Sequence, residues 1–155
     1  SFARHFDITV DAAIVSLGRK NLETPTTEKG VYEVYGSWSQ NVSTWTRKSH
    51  RALHAMRYED MLADPKSAFG ALARHLLLEP TAAQLERAIA LSSFEASQRQ
   101  ESERGFRERP KQSVSFFRAG RVGQWRQVLS ADQIARVRAD HGTEMARFGY
   151  GSSEG

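Results

Sequence analysis

Helical periodicity dominates this chain, and only two short runs, residues 31–35 and 52–58, are β-prone. That imbalance constrains the fold more than anything else in the sequence. A single strand leaves its N–H and C=O groups unpaired, and an isolated hairpin is marginal in water. Two arrangements would remedy this. The two runs pair with each other beneath the helices, or residues 52–58 find their strand neighbours upstream, outside this chain. The sequence opens on Ser1 rather than Met and lacks the basic-then-apolar order of a secretion signal, so a processed chain or a piece of a longer one is expected.

The helices are announced by their caps. Thr9 starts a short helix running to about Leu17, with Ala13, Ile14 and Leu17 on one face. Trp38, Val42 and Trp45 recur at i, i+4, i+7, which predicts a helix over 37–47 with an aromatic seam. Asp64 before Pro65 opens another, whose stripe is Phe69, Leu72, Ala73, Leu76 and Leu77. Thr81 with Gln84, and Ser130 with Gln133, are capping boxes. The first leads into Leu85, Ala88 and Ile89, the second into Ile134, Val137, His141 and Met145. Residues 21–30, with Pro25, read as a loop.

Composition narrows the chemistry. A length of 155 residues suits one domain. Without cysteine there is no disulfide framework, thiolate metal site or Cys nucleophile. No apolar run approaches the roughly 20 residues of a membrane helix. The net charge of +4 leans towards anionic ligands without choosing among them.

Residues 105–124 hold no period, yet Phe106, Phe116, Phe117 and Trp125 lie in or beside them. A loop that long in a compact domain is usually functional or disordered, and the aromatics argue against disorder. Within it, Arg118-Ala-Gly-Arg-Val-Gly123 sets two glycines beside two guanidinium groups. Glycine lets the backbone adopt positive φ and approach an anion closely, and arginine matches phosphate oxygens with a planar fork. In Ser92-Ser-Phe94, the Phe either stacks on a purine or plugs the core beside a serine cap. Tyr58-Glu-Asp60 closes the second β-prone run, where open α/β sheets bind ligands, or else caps the next helix. His50 and His54 have the i, i+4 spacing of helical metal ligands but stand at a strand entrance without a third ligand, so no metal site is expected. His5, His75 and His141 are expected at helix surfaces. Glu101 and Glu103, alternating with Arg99 and Arg104, read as a solvated, ion-paired face.

Taken in order, these pieces resemble the sulfotransferase family, whose donor is 3′-phosphoadenosine 5′-phosphosulfate. The matching stretches are Tyr35-Gly-Ser-Trp38, Arg57-Tyr-Glu-Asp60 with Asp64-Pro65, Ser92-Ser-Phe-Glu95, Phe116-Phe-Arg-Ala-Gly-Arg-Val-Gly-Gln-Trp125 and Met145-Ala-Arg-Phe-Gly-Tyr150. The resemblance implies an α/β, three-layer, parallel-sheet nucleotide-phosphate-binding fold, with this chain as its mostly helical C-terminal part and residues 1–155 as a single domain. It also implies that Arg118 and Gly120 hold the 3′-phosphate, with Ala119 where the family carries a lysine. Phe117 and Phe94 lie where the family flanks the adenine, Ser92 where it contacts the base, and Tyr58 near the adenine amino group. Ser1 matches a serine that is a second 3′-phosphate ligand.

The departures matter as much. With Ala119 in place of lysine one charge is lost, leaving Arg121 or Lys111 to compensate. The family's Gly-Asp-Trp-Lys run is Gly123-Gln-Trp-Arg126 here. The phosphosulfate-cradling lysine loop and the catalytic His of the family's N-terminal half have no counterpart in the sequence. The expectation is therefore a fragment that binds 3′,5′-adenosine bisphosphate, needs the missing half of the fold, and transfers no sulfuryl group by itself. The resemblance implies a hydroxyl or amine acceptor of small-molecule type, no metal, no membrane and a cytoplasmic location. The competing reading is nucleic-acid binding by residues 99–126, which hold eight Lys/Arg with interleaved aromatics but also three Glu. A non-catalytic interaction fragment is the third.

Overall fold

The structure, a computed structural model, describes residues 3, 6–28, 30–107, 109 and 113–151. They form two compact units, one within Ser1–Lys48 and Gly123–Gly155, the other within Ser49–Val122. Ser1, His5 and Lys111 lie outside the described residues.

In the first unit, helix α1 (Val10–Gly18) starts where its cap dictates, with Thr9 Oγ1 accepting the Ala12 N–H at 3.2 Å. Its inner face buries Ala13 and Ile14. Strands β1 (Glu23–Thr24) and β2 (Glu33–Val34) form an antiparallel pair in the register Glu23↔Val34 and Thr24↔Glu33. Helix α2 (Trp38–Thr46) opens on the reciprocal Ser37–Gln40 box. A short helix α7 (Trp125–Val128) precedes the long α8 (Ala131–Arg147), which packs against both α1 and α2. Polar ties fix that packing. Gln133 Nε2 donates to Asp11 Oδ1 at 2.7 Å, and Arg147 Nη2 donates to the Thr46 carbonyl at 2.9 Å.

The second unit is a run of helices, each packed on the next. These are α3 (Tyr58–Ala63), α4 (Pro65–His75), α5 (Ala82–Leu91) and α6 (Phe94–Arg104). Asp64 caps α4 through Oδ1, which accepts the Ser67 N–H at 3.0 Å, and Thr81 with Gln84 boxes the start of α5. Lys66 Nζ meets Glu86 Oε1 at 2.6 Å, tying α4 to α5. Among the described residues, no helix is long and apolar enough to cross a membrane.

Several expectations need correction. The two β-prone runs do not pair with each other: residues 53–57 pair with no strand among the described residues, follow a turn closed by Leu53 N–H on the His50 carbonyl, and end where Tyr58 begins a helix. The 31–35 run contributes β2, but its partner is β1, inside the stretch read as a loop. A polar composition hid that strand. The sheet described is thus antiparallel and two-stranded, and the parallel sheet implied by the resemblance is not among the described residues. Helix α4 stops at His75, so Leu76 and Leu77 leave the apolar stripe and stand exposed. Trp45 is exposed as well, so the seam of α2 rests on half-buried Trp38 and Val42 with buried Ser43. A helix over residues 94–104 was not expected at all.

Candidate functional site

The aperiodic segment is held against α6, in the second unit. Ser93 caps that helix, its Oγ accepting the Ala96 N–H at 3.1 Å, so Phe94 is the first helical residue and its ring is half-buried. Phe94 and Phe117 meet edge-to-face with centroids 6.4 Å apart. Phe106 lies 5.1 Å from Phe117 and 4.6 Å from Phe116, extending the cluster. Edge-to-face pairs of this kind satisfy the ring quadrupoles and add about 0.5–1.5 kcal/mol beyond area burial.

Directly after the cluster comes the glycine turn. Gly120 has φ +54° and packs so closely on Phe94 that a Cβ there would lie 2.5 Å from ring carbons. Gly123 also has positive φ, +74°. Arg118 is exposed, and its guanidinium makes no ion pair among the described residues. Ala119 is half-buried between Arg118 and Gly120 and supplies no charge.

Glu101 holds this segment in place, and sequence reasoning missed it. It is 7% exposed, contrary to the solvated face expected for it. Its Oε1 accepts the Phe116 N–H at 2.7 Å, and Oε2 accepts the Phe117 N–H at 3.0 Å and the Ser115 hydroxyl at 2.9 Å. Burial pushes its pKa up, but these three donors, with Arg109 nearby, outweigh burial and hold the carboxyl below its ordinary value. Gln98 Nε2 adds a bond to the Phe117 carbonyl at 3.2 Å. The spacing carries only a partial signal. Phe94, Ser97 and Glu101 stand at i, i+3, i+7 and share the face of α6 that turns inward.

The remaining expected residues are less tightly gathered. Ser92 follows α5, and its hydroxyl donates to the Ala88 carbonyl at 2.9 Å, leaving its lone pairs to accept. Tyr58 is the first residue of α3, 45% exposed, and makes no ring contact with the phenylalanine cluster among the described residues. His54 rests against His75 with ring centroids 5.2 Å apart, while His50 Nδ1 accepts the Ala52 N–H. No group of three metal-ligating side chains occurs among the described residues. In the first unit His141 is buried rather than at the helix surface, with Nδ1 2.8 Å from Ser39 Oγ and its ring edge-on to Trp38.

A positive-φ glycine turn, an exposed arginine beside it and a pair of edge-to-face phenylalanines thus lie together against α6. A family model described as sulfotransferase domain matches residues 22–149. The chain belongs to the sulfotransferase family, whose general chemistry is transfer of a sulfuryl group. No curated protein matches it.

Proposed function

We propose that the second unit binds the adenosine end of 3′-phosphoadenosine 5′-phosphosulfate, and equally its product 3′,5′-adenosine bisphosphate. The Arg118 guanidinium and the backbone N–H groups around Gly120 hold the 3′-phosphate. Phe94 and Phe117 flank the adenine, Ser92 accepts from a base edge and Tyr58 lies on the amino-group side. The observation that carries this reading is the junction of three elements at one place: Phe94, Phe117 and the positive-φ Gly120 beside Arg118. Base–aromatic stacking contributes about 1–3 kcal/mol per base, and a charge-assisted phosphate contact is of similar size, so a pair of such contacts is enough for measurable binding.

Transfer itself needs the acceptor oxygen or nitrogen deprotonated and the charge developing on the leaving phosphate stabilised. No lysine loop for the 5′-phosphosulfate and no placed base occur in this sequence. The chain therefore grips the nucleotide without acting on sulfur, and a polypeptide supplying the other half of the fold completes the enzyme. The thin interior supports this. Ala13 and Ile14 are the buried hydrophobic residues among those described, whereas Leu62, Leu76, Leu77, Leu78 and Leu91 are all exposed. The completed enzyme acts on a small-molecule hydroxyl or amine.

Calorimetric titration with 3′,5′-adenosine bisphosphate tests the reading. Saturable binding by the native chain, weakened by about 1.5–3 kcal/mol in Arg118→Ala, is the expected result. Equal affinity in the variant would refute the role of Arg118. Sulfate transfer from labelled donor by this chain alone would refute its proposed inactivity.

A further inference from the structure

The carboxylate of Glu101 is an unusual investment for α6, a helix whose other acidic and basic side chains are exposed. Both oxygens are committed to one short stretch of chain: Oε1 to the Phe116 N–H, and Oε2 to the Phe117 N–H and the Ser115 hydroxyl. Those peptides belong to no helix or strand, and among the described residues their N–H groups bond to Glu101. Three donors converging on one ionised carboxylate make charge-assisted bonds, stronger than neutral ones, so the segment is held where the carboxylate is. Phe117 is the residue immediately before Arg118, and its ring meets Phe94. The orientation of the Phe116–Phe117 peptides thus sets the direction in which the next side chains leave the backbone.

From this we infer that Glu101 is a positioning residue for the nucleotide: its carboxylate clamps the Phe116–Phe117 backbone and so presents Phe117 and Arg118 to the base and the 3′-phosphate. This rests on the nucleotide reading above. Glu101 touches no ligand itself; it acts through the loop. Two further bonds support the same clamp, from Gln98 Nε2 to the Phe117 carbonyl and from Arg109 Nη1 to the Val114 carbonyl, but both are made by exposed residues.

Glu101→Gln tests it, since the side chain keeps its shape while one acceptor becomes an NH2 that faces a donor. In the native chain, amide exchange measured by NMR is expected to be slow at Phe116 and Phe117 and to quicken about tenfold or more in the variant. Affinity for 3′,5′-adenosine bisphosphate is expected to fall about tenfold or more, the scale of one charge-assisted bond. Placed on an Arg118→Ala background, Glu101→Gln is expected to cost much less, because the arginine it positions is already gone. Additive losses would assign Glu101 a purely structural role and overturn the inference, as would unchanged affinity in Glu101→Gln. Unchanged exchange at Phe116 and Phe117 would overturn the clamp itself. Should the native chain bind no nucleotide, the nucleotide reading and the presenting role fall together, while the exchange measurement still decides the clamp. If Glu101→Gln does not fold, Ser115→Ala serves instead; it removes one of the three bonds, and faster exchange at Phe117 is the expected result.

Discussion

Gly120 lies against the ring of Phe94 so closely that even a methyl group would overlap it, with 2.5 Å from a Cβ to two ring carbons. The backbone there is also left-handed, at φ +54°. Gly120→Ala therefore meets two penalties, about 1–2 kcal/mol for the left-handed conformation and about 1–3 kcal/mol for displacing a rigid ring. The expected outcome is a loss of about 2–5 kcal/mol in urea unfolding, together with weaker nucleotide binding as Phe94 shifts. Gly142→Ala is the matched control. It lies inside α8 where a Cβ meets nothing within 4 Å, so a gain of about 0.5–1 kcal/mol is expected from helix propensity alone. Equal stability for Gly120→Ala and the native chain would show that the turn does not rest on Phe94.

The end of α4 invites the opposite substitution. Leu78 N–H bonds to the Ala73 carbonyl and Leu77 N–H to the Arg74 carbonyl, the paired bonds of a Schellman motif. The end of α8 is built identically, with Tyr150 N–H on the Met145 carbonyl and Gly149 N–H on the Ala146 carbonyl. The left-handed position is Gly149 in one case and Leu77 in the other, at φ +58°. Leu77 is 90% exposed, so its side chain returns little by burial. Relief of the left-handed strain exceeds the extra chain entropy glycine brings to the unfolded state. Leu77→Gly is expected to raise the urea midpoint, by about 0.5–1 kcal/mol in stability. A lowered midpoint would mean that Leu77 packs on something that the left-handed strain serves.

What the sequence disclosed, and what it concealed, follows the range of the interactions. Thr9, Asp64 before Pro65, Thr81 with Gln84 and Ser130 with Gln133 all cap the helices they were expected to cap, and Ser37 with Gln40 adds a box that the sequence reading did not name. A cap bond spans three residues, so its chemistry is written locally. Strand pairing is not local, and Glu23 with Thr24 gave no sign of their partners Val34 and Glu33. Helix α6 was missed for a different reason. Its inward face, from Phe94 through Ser97 to Glu101, carries one apolar residue and then two polar ones, so hydrophobic periodicity could not mark it. Phe94, Phe117 and Gly120 were legible through family resemblance, and their mutual contact only through the fold. Glu101 was written off as a surface charge because its three donors lie 14–16 residues further along the chain.

Glu101 also makes the second unit acid-sensitive. Its carboxyl is held below the ordinary 4.5, because the donors from Ser115, Phe116 and Phe117, with Arg109 nearby, outweigh the burial that would raise it. A depressed folded-state pKa means the ionised form is the one the fold favours. The stability it contributes is full above the ordinary value and is lost as pH falls through the folded one. Urea midpoints are expected to decline from about pH 5 downwards in the native chain. In Glu101→Gln the midpoint starts lower at neutral pH and declines less steeply. An identical acid limb in the two proteins would show that folding does not shift the pKa of this carboxyl.

His141 sets a separate and higher window in the first unit. Burial lowers its pKa below the ordinary 6.5, opposed in part by the carboxylate of Asp140. The ring is 6% exposed, lies edge-on to Trp38 and shares a 2.8 Å hydrogen bond with Ser39 Oγ. A neutral imidazole can accept that bond at Nδ1, whereas an imidazolium must donate there and bring its charge into a poorly hydrated site. The fold therefore favours the neutral form. Its contribution to stability is full above about 6.5 and disappears as pH falls through the depressed folded value. In a pH titration followed by NMR, the His141 ring is expected to titrate below 6.5. His141→Gln keeps a hydrogen-bonding group for Ser39 but cannot titrate, so its stability is expected to stay level across the window in which that of the native chain declines. A ring that titrates above the ordinary value would mean that Asp140, not burial, governs this helix.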